Sequence, residues 1–221
     1  MAEDRPKRRY NSTRRQAQAR ETRRQILETA YRLFTIRGYT GTTMEALASE
    51  GGVAVETVYA TFGSKRVVLA RLVDVAVGGD DAPTPILERP GPQHARSEPD
   101  QRKQIHLFAR DMAGIMERVG PLFGVMRAAA ISEPEIATLL ERLLKTRWEN
   151  IAVFVQWLAR NGPFRVGLSA EEATDIVWTM SSAEVRQLLI DDRGWTRERY
   201  EQWLTETLSV LLLPPEATTP R

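Results

Sequence analysis

The sequence predicts an all-α protein built in two parts, and three observations predict it. Apolar residues recur at steps of three and four through most of the chain. Gly, Pro and capping Ser or Thr interrupt those runs at helix-length intervals. No stretch of useful length alternates polar and apolar with period two, so essentially no sheet is expected. A chain of 221 residues and 25.0 kDa exceeds one average domain and can bury a sizeable core without staples.

The segment 1–19 is expected to be a flexible basic arm. From Arg5 to Arg24 there are nine Lys and Arg and one acid, Glu21. So polar a segment buries too little to order itself. A solubilising tail is the plainer alternative. The spacing predicts a first helix from about Arg20, burying Ile26, Leu27, Ala30, Leu33, Phe34 and Ile36 and ending at Gly38. Thr42-Thr43 offers an N-cap for a short second helix that turns Met44, Leu47 and Ala48 inward. Gly51-Gly52 breaks it, and a third short helix runs to about Phe62. Gly63 stops that one. Ser64 caps a fourth, with Val67, Val68, Leu69, Leu72, Val73 and Ala76 apolar, to about residue 77.

Segment 78–100 contains Pro83, Pro85, Pro90, Pro92 and Pro99 and is expected to be an irregular linker. Beyond it, 101–213 reads as helices: Gln101 to Val119, a short one opened by Pro121, a long one capped by Ser132, another from Ser169 to about Gly194, and a last one capped by Thr196. Residues 214–221 form a tail.

Composition excludes several function classes. There is no cysteine, so thiolate metal sites and cysteine nucleophiles are impossible. Two histidines, His94 and His106, are too few for a multi-histidine site. No catalytic constellation can be argued from spacing, so neither an enzyme nor a cofactor is expected. No apolar run approaches the roughly 20 residues that span a bilayer, and the amino terminus lacks a signal-like segment, so a cytoplasmic protein is expected. The net charge of +2 is unevenly spread: 1–77 carry +6 and 78–221 carry −4. A basic first third points to a polyanion partner.

The helix, Gly-ended turn, Thr-capped short helix, glycine turn and third helix have helix-turn-helix dimensions, with the third helix placed to enter a major groove. At about 100° per residue, Val58 and Phe62 face inward while Val55, Glu56, Tyr59 and Ala60 form the reading face. A three-helix packing unit without nucleic acid is the bland alternative. The stretch Phe34…Gly38-Tyr39…Thr42-Thr43…Leu47-Ala48…Gly52-Val53…Thr57-Val58-Tyr59…Phe62-Gly63-Ser64-Lys65…Leu69 resembles the DNA-binding domain of TetR-type (tetracycline-repressor-like) regulators. The resemblance implies a homodimer, a palindromic operator in double-stranded DNA and release by a small-molecule effector. By position it implies phosphate contacts from Thr42, Thr43 and Lys65, and groove contacts from Val55, Glu56, Thr57 and Tyr59. Departures are Gly51 for a frequent Ala and Ala54 for a frequent Ser, which removes the recognition helix's side-chain cap. The reading face has no Arg, Lys, Asn or Gln, so affinity is expected to lean on phosphates and the arm.

In the second domain, Met112, Met116, Phe123, Met126, Trp148, Phe154 and Trp178 are candidates for an apolar ligand pocket, though each is more simply core. Arg110, Arg127, Arg147 and Arg186 either meet an anionic group or stand exposed. Trp178, Val185, Leu188 and Leu189 on one helix, with Tyr200, Trp203, Leu204, Leu208 and Leu211 on the last, are expected at a four-helix dimer seam, or else they close their own core.

Overall fold

A computed structural model of the chain describes residues 10–215, all of its regular structure helical. The helices are α1 (Tyr10–Arg37), α2 (Met44–Glu50), α3 (Val55–Phe62), α4 (Lys65–Gly78), α5 (Pro90–Ser97), α6 (Gln101–Ala130), α7 (Pro134–Asn161), α8 (Ala170–Met180), α9 (Ala183–Arg186) and α10 (Arg197–Leu212). A 3-10 turn spans Ile86–Glu88, and a π-helical turn, Gln187–Asp192, continues α9. No described helix is long and apolar enough to cross a membrane. The chain divides into two compact units, Met1–Leu72 and Val73–Arg221.

In the first unit, Ile26, Leu27, Ala30, Leu33 and Phe34 of α1 are buried, as are Leu47, Val58 and Phe62 of α2 and α3. The ring of Phe34 stacks on Tyr39 at 5.9 Å. Gly38 (φ 70°) and Gly63 (φ 74°) hold the left-handed backbone that turns the chain out of α1 and α3, a conformation that costs other residues about 1–2 kcal/mol. Two sequence expectations fail here. Helix α1 starts at Tyr10, not Arg20, so residues 10–19 of the expected flexible arm are helical; the arm's first nine residues lie outside the described ones. Ile36 is 72 % exposed, because α1's buried stripe ends at Phe34.

The second unit packs α6 against α5, α7, α9 and α10, and α8 against α7 and α10. Its core centres on Ile105, Phe108, Phe154, Leu158, Tyr200, Leu204 and Leu208. The proline-rich segment is not an irregular linker. Pro90 occupies the first turn of α5, where a missing N–H loses nothing, and Ala95 and Gln104 tie α5 to α6 through Gln104 Nε2 donating to the Ala95 carbonyl at 2.8 Å. Arg89 fastens the preceding loop, donating to the carbonyls of Gly78 at 2.6 Å and Ala82 at 3.2 Å and to Asp80 Oδ1 at 2.9 Å.

Further along, α6 runs unbroken through Pro121 instead of splitting into two helices, since one lost donor does not offset the burial of Leu122, Phe123 and Met126 on the same face. Helix α7 is entered through Glu133 rather than capped by Ser132. The helix expected from Ser169 to Gly194 is interrupted at Ser181, whose hydroxyl donates to the Val177 carbonyl, and Ser182 caps a new start. Ser169 and Glu172 form the reciprocal capping box at the head of α8.

Candidate nucleic-acid interface and ligand cavity

Helices α2 and α3 meet through a turn whose hydrogen bonds are local: Gly51 N–H donates to the Leu47 carbonyl at 2.9 Å and Val53 N–H to that of Ala48 at 3.0 Å. Val58 and Phe62 seat α3 on the core, which leaves its opposite side bare. There Glu56 and Ala60 are exposed, Tyr59 is 47 % exposed, and Val55 and Thr57 are half-buried. As expected from Ala54, α3 starts without a side-chain cap. Tyr59 and the Thr43 hydroxyl both face Glu45 of α2. With Glu45's own backbone N–H, the foremost cause, they hold that carboxyl below its ordinary range.

The three expected phosphate residues part company. Thr43 is the N-cap of α2, exposed, its oxygen accepting from Ala46 N–H at 3.1 Å and its hydroxyl turned to the Glu45 carboxylate. Thr42 is fully buried; its hydroxyl donates to the Gly38 carbonyl at 2.9 Å and its N–H to that of Tyr39 at 3.2 Å. It builds the turn and does not reach a phosphate, which corrects that assignment. Lys65 Nζ lies 4.1 Å from the Tyr39 ring centre and donates to the Tyr39 carbonyl at 2.8 Å, so it pins the α1–α2 turn to the head of α4 and holds a cation there. Sequence reasoning missed this bond, which spans 26 positions and carries no local pattern. Arg14, Arg15 and Arg20 are exposed along the first turns of α1. Arg23 lies over the Phe62 ring at 4.9 Å.

A cavity of about 460 Å³ opens within the second unit, walled by α6, α7, α8 and α9. Three of the seven expected residues line it: Met116, Phe123 and Trp178. Leu144, Arg147 and Val185 join them. The other four do not. Met126 is fully buried, Phe154 stacks on Phe108 at 4.2 Å, Met112 packs on the core, and Trp148 Nε1 donates to Asp175 Oδ1 at 2.8 Å. Arg147 Nη2 donates to the Trp178 carbonyl and to Ser181 Oγ, each at 2.8 Å. Burial pushes its pKa down to about 10, so it stays charged at neutral pH. The expected dimer seam is thinned likewise: Tyr200, Leu204 and Leu208 are fully buried in their own unit.

Residues 26–72 match the family model for bacterial regulatory proteins of the tetR family. The first unit carries a tetR-type DNA-binding domain, and the chain is a DNA-binding regulator. The matched residues fall in the helix-turn-helix of α1 to α4, and the remainder of the chain is helical. Among proteins similar to this chain is the HTH-type transcriptional repressor BepR of Brucella suis biovar 1 (strain 1330), 26 % identical over 185 residues, which covers 81 % of this chain and 86 % of that protein. Two similar solved structures agree in fold. FadR from Bacillus subtilis in complex with stearoyl-CoA has a TM-score of 0.66 and 18 % identity over 84 % of this chain and 96 % of that one. The SmeT–triclosan complex has a TM-score of 0.67 and 16 % identity over 90 % and 95 %.

Proposed function

We propose that this regulator is a homodimeric repressor that reads a near-palindromic operator with α3 and leaves it when a small molecule fills the cavity of the second unit. The observation that carries the reading is the bare outer side of α3, with Tyr59 47 % exposed beside exposed Glu56 and Ala60. Glu56 suits the N4 amino group of cytosine, and Val55 and Ala60 suit thymine methyl groups. Thr43 and Lys65 would position this face against phosphates, and the exposed arginines of α1 add charge for the backbone or a narrow minor groove. Repression is favoured by the name of the BepR relative. Effector binding is favoured by the small molecules in the FadR and SmeT complexes.

Dimerisation through the last helices is supported by apolar residues left outside the core, Leu188 at 58 % and Val210 at 72 % exposure. Two α3 helices on one face of a duplex must sit about 34–36 Å apart, one helical turn. Selection from random duplexes, followed by footprinting and sedimentation, tests the whole reading. It predicts an inverted repeat protected by two subunits. Uniform coverage of unrelated duplexes would mark an architectural protein, and retention of no duplex at all would remove DNA from the account.

A further inference from the structure

The cavity carries information about what fills it. Its walls combine an apolar part, Met116, Phe123, Leu144, Trp178 and Val185, which suits an apolar body, with a polar part that includes Arg127, Arg147 and Glu184, and about 460 Å³ suits a compact ligand. The cations near it are not equivalent. Arg127 pairs with Glu184, both lining the cavity, and Arg186 pairs with Asp191 at 2.9 Å. Arg147 makes no ion pair among the described residues, and Glu184, which also lines the cavity, acts on it only at longer range. Both acceptors of its Nη2 are neutral, its ring neighbour Trp178 lies 5.4 Å away, and its buried Nε has no acceptor. Trp178 Nε1, on the same wall, is also buried without an acceptor.

A half-buried cation whose hydrogen-bond acceptors are all neutral is only partly compensated by a more distant carboxylate, and a guanidinium does not relieve the cost by losing its proton. A ligand that brings one negative charge removes that cost. A neutral ligand does not, and a cation adds to it. A phosphate dianion exceeds the spare positive charge, because Glu184 already matches Arg127 and partly offsets Arg147.

We infer that the cavity takes an amphipathic carboxylate, a monoanion on a flat apolar body whose carboxylate sits at Arg147. This rests on the reading of the cavity as the effector site. Arg147 is then the specificity-determining residue: the apolar walls accept many bodies, and the charge selects among them.

The test uses the full-length protein and two matched sets of probes, titrated calorimetrically. The sets are 4-phenylbutyrate, 4-phenylbutanamide and 4-phenylbutylamine, and 2-naphthylacetate, 2-naphthylacetamide and 2-naphthylethylamine. In at least one set the acid should bind tenfold or more tighter than the amide, and the amine weakest. Arg147→Met should abolish that preference while amide affinity holds, and Arg147→Lys should keep part of it. Arg147→Met also loses the hydrogen bonds to the Trp178 carbonyl and Ser181, so the retained amide affinity, not the melting temperature, separates loss of charge selection from loss of fold. Equal affinity of acid and amide overturns the carboxylate assignment and leaves the effector cavity standing. A preference that survives Arg147→Met overturns it too. Binding of no probe counts against both.

Discussion

Thr42 and Thr43 are neighbours with opposite roles. The Thr43 side chain faces out and caps α2, whereas Thr42 is enclosed and bonded to the Gly38 carbonyl. Thr42→Val removes a buried hydrogen bond and should cost about 1 kcal/mol in urea unfolding without changing affinity for DNA. Thr43→Ala should lose a comparable cap and also weaken DNA binding, with a shallower salt dependence. The cap was legible because Thr before a short apolar helix is a local signal. The burial of Thr42 was not, because it depends on where α1 lies. Glu50 gives a pH signature. Hydrogen bonds from Arg32 and then Arg37, at 2.8 and 2.6 Å, hold its carboxyl below its ordinary value. The folded pKa is the lower one, so the stabilisation is present above the unfolded value and lost as the pH falls through the folded one. Glu50→Gln should flatten the acid limb of the stability–pH curve and leave neutral pH little changed, because all three groups are largely solvated.

At the scale of elements, local punctuation was readable and tertiary support was not. Thr43, Ser169 and Thr196 cap helices where the sequence places them, and Gly38 and Gly63 turn the chain as their positions imply. Helix α5 escaped notice because prolines in a first turn look like prolines in a loop, and only its packing on α6 separates the two. The N-terminal turns of α1 escaped for a related reason: residues 14–20 are all exposed, so no apolar stripe announces a helix. The candidate pocket was half legible. Aromatic and Met residues at helical spacing mark a face as apolar, but whether that face meets a core or a void is decided by the opposing helix. Deletion of residues 1–18 should lower DNA affinity and reduce the salt slope by about 0.9 for each phosphate that the segment neutralises. An unchanged affinity and slope would remove this segment from the interface.

Over the whole molecule, the charge is divided between the DNA-binding portion and the rest, +6 on 1–77 and −4 on 78–221. That division favours fast, salt-sensitive association through one end. A ligand that releases DNA must bind the free protein more tightly, and DNA must weaken the ligand by the same factor, typically about 5–150-fold. Titrating an effector into free and operator-bound protein should give that ratio twice, once from each side. Unequal ratios would rule out simple linkage. The claim beneath all of this is that α3 reads sequence with its outer side. The most direct measurement is the affinity of Tyr59→Ala and Lys65→Met for a selected operator and for a scrambled duplex of equal length. Tyr59→Ala should lose about tenfold or more on the operator and little on the scrambled duplex, whereas Lys65→Met should weaken both alike. Equal losses from Tyr59→Ala on the two duplexes would contradict the account.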